Sequence, residues 1–213
     1  MSLLPEIPDE LRDQLAFRAK RELRKRLRAV RSTMPAAAVA ERSALITARV
    51  LSLDAWKRAR TVALFSSMPD EVQCASLVTA ARESEKRVAL PVVVDEAPGL
   101  IFRAGWDGAK AFPTAMSAFG IDEPDESAPT IAYSELDLVL VPAMAVDDLG
   151  NRIGYGRGYY DRTLPLCASA AWVAVAFDFQ MVAEVPTRAG DVAVHAIATD
   201  KRLLHCAAPQ DSR

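Results

Sequence analysis

The stretch Asn151-Arg152-Ile153-Gly154-Tyr155-Gly156-Arg157-Gly158-Tyr159-Tyr160-Asp161 combines residue types and spacings suited to holding phosphate. Gly154, Gly156 and Gly158 lie two apart; without Cβ atoms they take positive φ and bring backbone N–H groups close to an anion. Arg152 and Arg157 sit among them and suit bidentate pairing with phosphate oxygens. A helix opening over Tyr159 to Leu164 would turn its positive end toward the same anion. No Gly-Lys-Ser/Thr follows, and the third glycine comes too early for a dinucleotide fingerprint. A tight structural turn with two incidental arginines is the other reading that these residues allow. Asp161 suits Mg²⁺, which prefers oxygen ligands, or serves only to offset the helix dipole; the residues alone leave both open.

A second basic element lies near the start. Lys20, Arg24 and Arg28 are four apart and share one helical face. Arg18, Arg21, Lys25, Arg26 and Arg31 widen the positive field, opposed nearby only by Glu22. Some of these reach phosphates in the functional reading, and the others form a solvated face. A nucleic-acid-binding module is the weaker reading, because no aromatic residue interleaves with the basic ones after Phe17. The two histidines, His195 and His205, stand far from any nucleophile motif, which disfavours Ser/His or Cys/His catalysis. A histidine on a late strand is usually structural or half exposed.

The elements that must position these residues follow from periodicity. Leu11, Leu15, Leu23, Leu27 and Val30 recur at helical spacing and predict one helix over Asp9–Arg31. Pro35 fits the first turn of a second helix ending near Leu53. Thr61–Phe65 reads as a buried strand, Ser66–Glu71 as a polar loop, Val72–Ser84 as a helix and Arg87–Val94 as a strand. That order is a βαβ unit, which favours a parallel sheet covered on both faces. The middle, Asp95 to Ser134, is irregular, with an edge strand at Leu100–Arg103. Further strands are expected at Leu136–Pro142, Trp172–Phe177 and Val192–Thr199. The glycine-rich stretch follows the carboxyl end of the first of these three, where open α/β sheets bind ligands.

Composition bounds the rest. The chain has 213 residues, 51% of them hydrophobic, enough to fill one substantial core. A net charge of −2 argues against a coat for nucleic acid or anionic membrane. Cys74, Cys167 and Cys206, odd in number and widely spaced, fit neither a disulfide framework nor a zinc site and point to a reducing compartment. Met1 to Glu10 is acidic and lacks a secretory pattern. No apolar run approaches the roughly 20 residues that span a bilayer, so a cytoplasmic location is expected.

Four pieces, in order, resemble the 5-formyltetrahydrofolate cyclo-ligase family, also called 5,10-methenyltetrahydrofolate synthetases. The most specific is Val141-Pro142, then Asp147, then Gly150 through Arg162. It is similar to the family's Pro-Gly-x-x-Phe-Asp, Gly-x-Arg-Leu-Gly-x-Gly-x-Gly-Tyr-Tyr-Asp pattern. Lys20-Arg21-Glu22-Leu23-Arg24 resembles its N-terminal Lys-x-x-Leu-Arg element. Phe65-Ser66-Ser67-Met68-Pro69-Asp70-Glu71 resembles its substrate loop, and Gly120-Ile121-Asp122-Glu123-Pro124 its Gly-x-x-Glu-Pro element. The likeness covers about Lys20 to Asp200. Ala143 replaces the glycine after Pro142 and Val146 the phenylalanine before Asp147, both packing-scale departures. The segment Asp95 to Ala118 matches poorly.

The resemblance implies a single three-layer α/β domain, NagB/RpiA/CoA-transferase-like, with a mostly parallel central sheet flanked by helices. It is expected over residues 20–205, with 1–19 as an N-terminal extension and 206–213 as a tail. It also implies ATP as co-substrate, Mg²⁺ as cofactor and 5-formyltetrahydrofolate, with or without a polyglutamate tail, as substrate. Lys20, Arg24 and Arg152, Ile153, Gly154, Tyr155, Gly156, Arg157, Gly158, Tyr159 and Tyr160 would bind ATP; Lys20, Arg152 and Tyr160 would be catalytic. Asp161 and Asp191 would lie on the Mg²⁺ side, and Ser66, Met68, Glu71 and Phe119 would contact the folate. A monomer or weak homodimer is expected, with no membrane or nucleic-acid partner. A relative of the same fold acting on another substrate, and an RNA-binding relative, are the rival readings.

Overall fold

The computed structural model of the chain describes residues 8–94, 99–107, 110–116, 120 and 122–206. Helix α1 (Asp9–Ser32) is continuous across residue 20, so the expected boundary between extension and domain falls inside it. Helix α2 (Ala36–Ser52) begins after Pro35, whose fixed φ of −61° suits a helix start. A further short helix, α3 (Asp54–Arg58), follows directly.

The leucine repeat that signals α1 coincides with its buried face only in part, at Leu23 and Leu27. Leu11, Leu15 and Val30 are about half exposed, whereas Ala16, Lys20, Leu27 and Arg31 face inward. Leu27 packs beside Met144, Ala145 and Ile153. Lys20 and Arg31 border a cavity lined by carboxylates and other polar groups, which is why two of the four are cations.

Strand β1 (Thr61–Ala63), helix α4 (Ala75–Glu83) and β2 (Arg87–Val93) form the expected parallel crossover. β3 (Leu100–Asp107) then runs antiparallel to β2. Its expected edge position is corrected: β4 (Lys110–Ala111) and β7 (Thr130–Ile131) pair its far side. β5 (Thr114–Met116) and β6 (Asp122–Pro124) form a separate antiparallel pair. Phe119 and Ile121 lie outside the described residues, so the stacking role expected of Phe119 does too.

β8 (Leu138–Pro142) is central, hydrogen-bonded in parallel to β1 and to the later strand β11 (Ala171–Val175). Between them lie the hairpin β9 (Ala145–Val146) and β10 (Arg152–Ile153) and helix α5 (Tyr159–Thr163). β12 (Ala196–Ala198) continues the parallel run, and β13 (Leu203–His205) closes the edge antiparallel to it. The order is β13-β12-β11-β8-β1-β2-β3-β4. Five adjacent strands, β12 to β2, are parallel, as expected of a doubly covered sheet.

Alternation along these strands sorts the core into two faces. Val62, Leu138, Leu140, Val173 and Val175 meet Ile46, Trp56 and Leu77 of the first helices. Ala63, Val139, Val141, Trp172 and Ala174 turn the other way, against Leu164 and Cys167 just after α5. The result is a three-layer α/β domain with the sheet between two helical layers.

The connection from β9 to β10 is tied by Asp147, which is 1% exposed. Its carboxylate accepts from the backbone N–H groups of Leu149, Asn151 and Val185, at 2.9 to 3.1 Å, and from Asn151 Nδ2. Gly150, at φ +89°, completes the turn; a Cβ there would stand 2.5 Å from the Val194 carbonyl oxygen. Asp147→Ala orphans several donors at once and is expected to lower unfolding free energy by about 2–4 kcal/mol. Urea denaturation reads this directly; a change under about 0.5 kcal/mol would show that the hairpin does not rest on this carboxylate.

Candidate active site

One cavity of about 600 Å³ lies between α1, the loop after β1 and the glycine-rich segment. Phe65, Pro91 and Pro142 bring it to the carboxyl ends of β1, β2 and β8, the position where parallel sheets open toward ligands. The structure brings together in this cavity every site residue expected from the sequence that it describes.

The phosphate-type wall is built of cations held by carboxylates and a backbone carbonyl. Lys20, 5% exposed, donates from Nζ to Asp191 Oδ2, 171 residues away in sequence. Arg152, 6% exposed, pairs through Nη2 with Asp161 Oδ1 at 2.9 Å. Its guanidinium lies 5.8 Å from the Tyr160 ring centre, and among the described residues its buried Nε finds no hydrogen-bond partner. Arg24 donates from Nε to the Gly154 carbonyl oxygen at 2.7 Å, fastening α1 to the loop. Gly156 takes φ +105°, and a Cβ there would meet the Arg24 guanidinium at 3.5 Å. Gly158, at φ +68°, caps α5, which is only five residues long.

Burial lowers the proton affinity of Arg24, and the charge of Arg188 lowers it further. Burial likewise lowers that of Arg152, with Asp161 opposing. Burial pushes the Tyr160 phenol well above its ordinary range, with Glu71 adding to the shift, so it stays protonated and remains a hydrogen-bond donor.

At the other end, Glu71 is 5% exposed. Its Oε2 accepts the Met68 N–H at 2.8 Å, and its Oε1 accepts the Tyr155 hydroxyl. The loop is braced from within: Ser67 Oγ donates to the Val72 carbonyl oxygen, and Gln73 Nε2 donates to those of Met68 and Glu71. Ser66 and Met68 line the cavity beside it. Burial raises the Glu71 carboxyl above the usual carboxylate range, more than Tyr155, Met68 and Arg31 together lower it.

Arg31 is the residue whose importance the sequence did not reveal. It is 3% exposed, donates to Asp70 Oδ2 at 2.9 Å and to Tyr155 Oη at 2.7 Å, and lies 3.8 Å from Glu71. Burial opposes its charge, yet Tyr155, Asp70 and Glu71 outweigh that and raise its proton affinity. Four-residue spacing from Lys20 assigned α1's functional face to Arg28, which is exposed, and passed over Arg31 three residues on. Only burial separates these arginines. Arg188 is a second missed residue, opposite α1 at the cavity mouth.

Mg²⁺ beside phosphates needs only one or two carboxylates, the remaining ligands being water and phosphate oxygens. Asp161 and Asp191 meet that requirement. Among the described residues hydrogen bonds reach only Oδ1 of Asp161 and Oδ2 of Asp191, which leaves an oxygen on each. No group of three or more His, Cys, Asp or Glu side chains able to hold a metal occurs among the described residues. The donor set therefore fits an ion shared with a phosphate ligand rather than a protein-enclosed one.

The family model of the 5-formyltetrahydrofolate cyclo-ligase family matches residues 16–200. The chain belongs to this family. It is 36% identical over 145 residues to the 5-formyltetrahydrofolate cyclo-ligase of Mycolicibacterium smegmatis, covering 67% of this chain and 75% of that one. With that of Haemophilus influenzae it shares 28% over 176 residues, or 81% and 93% of the two chains. The solved 5,10-methenyltetrahydrofolate synthetase of Aquifex aeolicus superposes with a TM-score of 0.77 at 29% identity, covering 91% of this chain and 96% of that one. The cyclo-ligase match spans both α1 and the glycine-rich segment, the two walls of the cavity.

A pH experiment tests the buried Glu71. Its folded pKa lies above the unfolded value, so the stability it contributes is present below about pH 4 and is lost as pH rises through the folded value. Glu71→Gln, which cannot ionise, should gain in melting temperature relative to wild type as pH rises through that window. A constant difference from pH 4 to 7 would show that burial does not govern this carboxyl.

Proposed function

We propose that this enzyme converts 5-formyltetrahydrofolate and Mg-ATP to 5,10-methenyltetrahydrofolate, ADP and phosphate. The observation that carries the reading is the division of one cavity. A wall of paired cations and glycine amides faces the same space as a buried carboxylate, Glu71, held on a rigid loop. The first suits a polyphosphate and the second suits the amino and ring N–H groups of a pterin, since a carboxylate offers only acceptors.

In this reading the formyl oxygen attacks the γ-phosphorus, and the bond to the β–γ bridging oxygen breaks as ADP leaves. N10 then attacks the activated formyl carbon, loses its proton, and phosphate departs with the former formyl oxygen. Neither step needs a protein nucleophile. Both need in-line placement and stabilisation of charge on the moving phosphoryl group. Lys20 and Arg152, already desolvated, stabilise that charge, and the protonated Tyr160 donates to a phosphoryl oxygen. Arg24, Arg157, Ile153, Tyr155, Tyr159 and the loop glycines seat the nucleotide. Asp161 and Asp191 hold Mg²⁺, which when bound neutralises phosphate charge. Ser66 and Met68 flank the folate held by Glu71.

Methenyltetrahydrofolate absorbs in the near ultraviolet, so mixing protein, Mg-ATP and 5-formyltetrahydrofolate tests the activity directly. Lys20→Ala, Arg152→Ala and Asp161→Ala should each lower kcat by about 10²-fold or more, the scale of one lost transition-state charge contact. Near-normal kinetics in all three would overturn the assignment. Glu71→Ala should raise the folate KM selectively; weakened ATP binding with unchanged folate affinity would place Glu71 on the wrong substrate.

A further inference from the structure

Arg31 sits in the last turn of α1 and joins the helix to both loops that border the cavity. Its Nε and Nη2 donate to Asp70 Oδ2 and Oδ1 at 2.9 and 3.2 Å, through the planar fork that only an arginine offers. Nη2 also donates to Tyr155 Oη at 2.7 Å, and Nη1 stands 3.8 Å from Glu71 Oε1. Arg24, about two turns earlier, donates to the carbonyl oxygen of Gly154, the residue before Tyr155. Helix α1 thus holds this part of the glycine-rich segment twice, by its backbone and by its side chain.

The chain of hydrogen bonds has a direction. An arginine only donates, so its bond to Tyr155 Oη turns the hydroxyl proton onto Glu71 Oε1. The Met68 N–H donates to Glu71 Oε2. Glu71 is therefore presented as an acceptor at both oxygens, and each oxygen has a second acceptor position. The end torsion of a glutamate is broad. One backbone donor would leave the carboxylate plane free to turn, and Tyr155 at the other oxygen removes that freedom.

We infer that Arg31 is a positioning residue for the folate half of the reaction, acting through Tyr155 and Asp70 to fix Glu71 as an oriented pair of acceptors. The inference rests on the reading of Glu71 as partner of the pterin amino and ring N–H groups. It divides Tyr155 between the two substrates: its backbone belongs to the segment that seats the nucleotide, and its hydroxyl serves the folate side. Arg31 need not touch the substrate, because Asp70 and Tyr155 occupy its fork. Burial favours the protonated Glu71 carboxyl, and Tyr155, Met68 and Arg31 oppose it. The other titratable groups that interact with Glu71 are Asp70 on the same loop, Cys74 just before α4 and Tyr160 on α5. Burial pushes the Cys74 thiol up to about 11 and the Tyr160 phenol well above its ordinary range, so both stay neutral while Glu71 titrates. Asp70, paired with Arg31, adds its negative charge to the effect of burial.

Steady-state kinetics with 5-formyltetrahydrofolate and Mg-ATP, from about pH 6 to about pH 8, test this in Arg31→Met, Arg31→Lys and Tyr155→Phe. Arg31→Met should raise the folate KM by about 10-fold or more, the scale of a lost charge-assisted bond, and leave the ATP KM unchanged. Its folate KM should fall as pH rises, because without the guanidinium Glu71 gives up its proton at higher pH than in wild type. Arg31→Lys keeps the charge and loses the fork, so it should return the pH profile toward wild type while the KM stays raised. Tyr155→Phe removes one hydroxyl and leaves the fork to Asp70 intact, so it tests the inference even where Arg31→Met fails to fold. It should raise the folate KM and not the ATP KM. A folate KM within about twofold of wild type in Tyr155→Phe, a rise in the ATP KM alone, or equal rises of both overturns the inference. Glu71→Ala separates the two readings. An unchanged folate KM there ends the folate reading of this end of the cavity, and the inference with it. A raised KM in Glu71→Ala alone ends only the inference.

Discussion

Three cations are buried around one cavity, and the rest of the molecule is arranged to make that tolerable. Lys20, Arg31 and Arg152 are each at most 6% exposed. Removing such a group from water costs several kcal/mol unless an opposite charge and hydrogen bonds replace the solvent. Lys20 and Arg31 receive that replacement from remote segments, Asp191 for the first and Asp70 and Glu71 for the second, and Arg152 receives it from Asp161 at the end of its own glycine-rich stretch. Helix α1 therefore cannot dock fully until the loop after β1 and the loop before β12 are in place. An apolar helix face would accept many small displacements; a face made of ion pairs accepts one.

The sheet makes those loops arrive together. β1 and β8 are parallel neighbours, so the Glu71 loop and the hairpin bearing Arg152 leave the sheet at the same edge. Asp147 then fixes the hairpin with bonds to Leu149 and Asn151 of its turn and to Val185, which leads toward Asp191. One buried carboxylate thus couples the positions of Arg152 and of the segment that supplies the partner of Lys20. Asp147 does for the phosphate wall what the internal bonds of Ser67 and Gln73 do for the substrate loop.

Patterns with a local cause were legible in the sequence. Val62/Ala63 and Leu138/Val139 alternate between the two faces, and such runs read as buried parallel strands without any tertiary knowledge. The glycine spacing read as a loop needing unusual backbone, and Gly156 and Gly158 do take positive φ, while an anion site and a structural turn both fitted the residues alone. What depends on distant partners was not legible. The leucines of α1 predicted the helix correctly but not its inward face, since periodicity cannot tell a leucine at the core from one on a free rim. Arg31 looked like one more member of a basic field, because Tyr155 lies 124 residues away and nothing local marks them as partners. β13 is three residues long and gains its strand state from pairing with β12, so no periodic signal announced it.

The resting ion pairs also bear on how a charged ligand is received. Lys20, Arg24, Arg152 and Arg188 gather around one cavity, and burial first, then the charge of Arg188, lowers the proton affinity of Arg24. Asp161 and Asp191 pair with two of them, Arg152 and Lys20. On the proposed reading a polyphosphate takes over the same work: its oxygens meet cations already stripped of water and held in place, so little reorganisation accompanies binding. The two carboxylates, relieved of sole responsibility for the cations, are then free to share a divalent ion with the phosphates. On that reading the partners of the buried cations and the ligands of the metal would be the same two side chains, a double duty that alanines at the cavity wall could not perform.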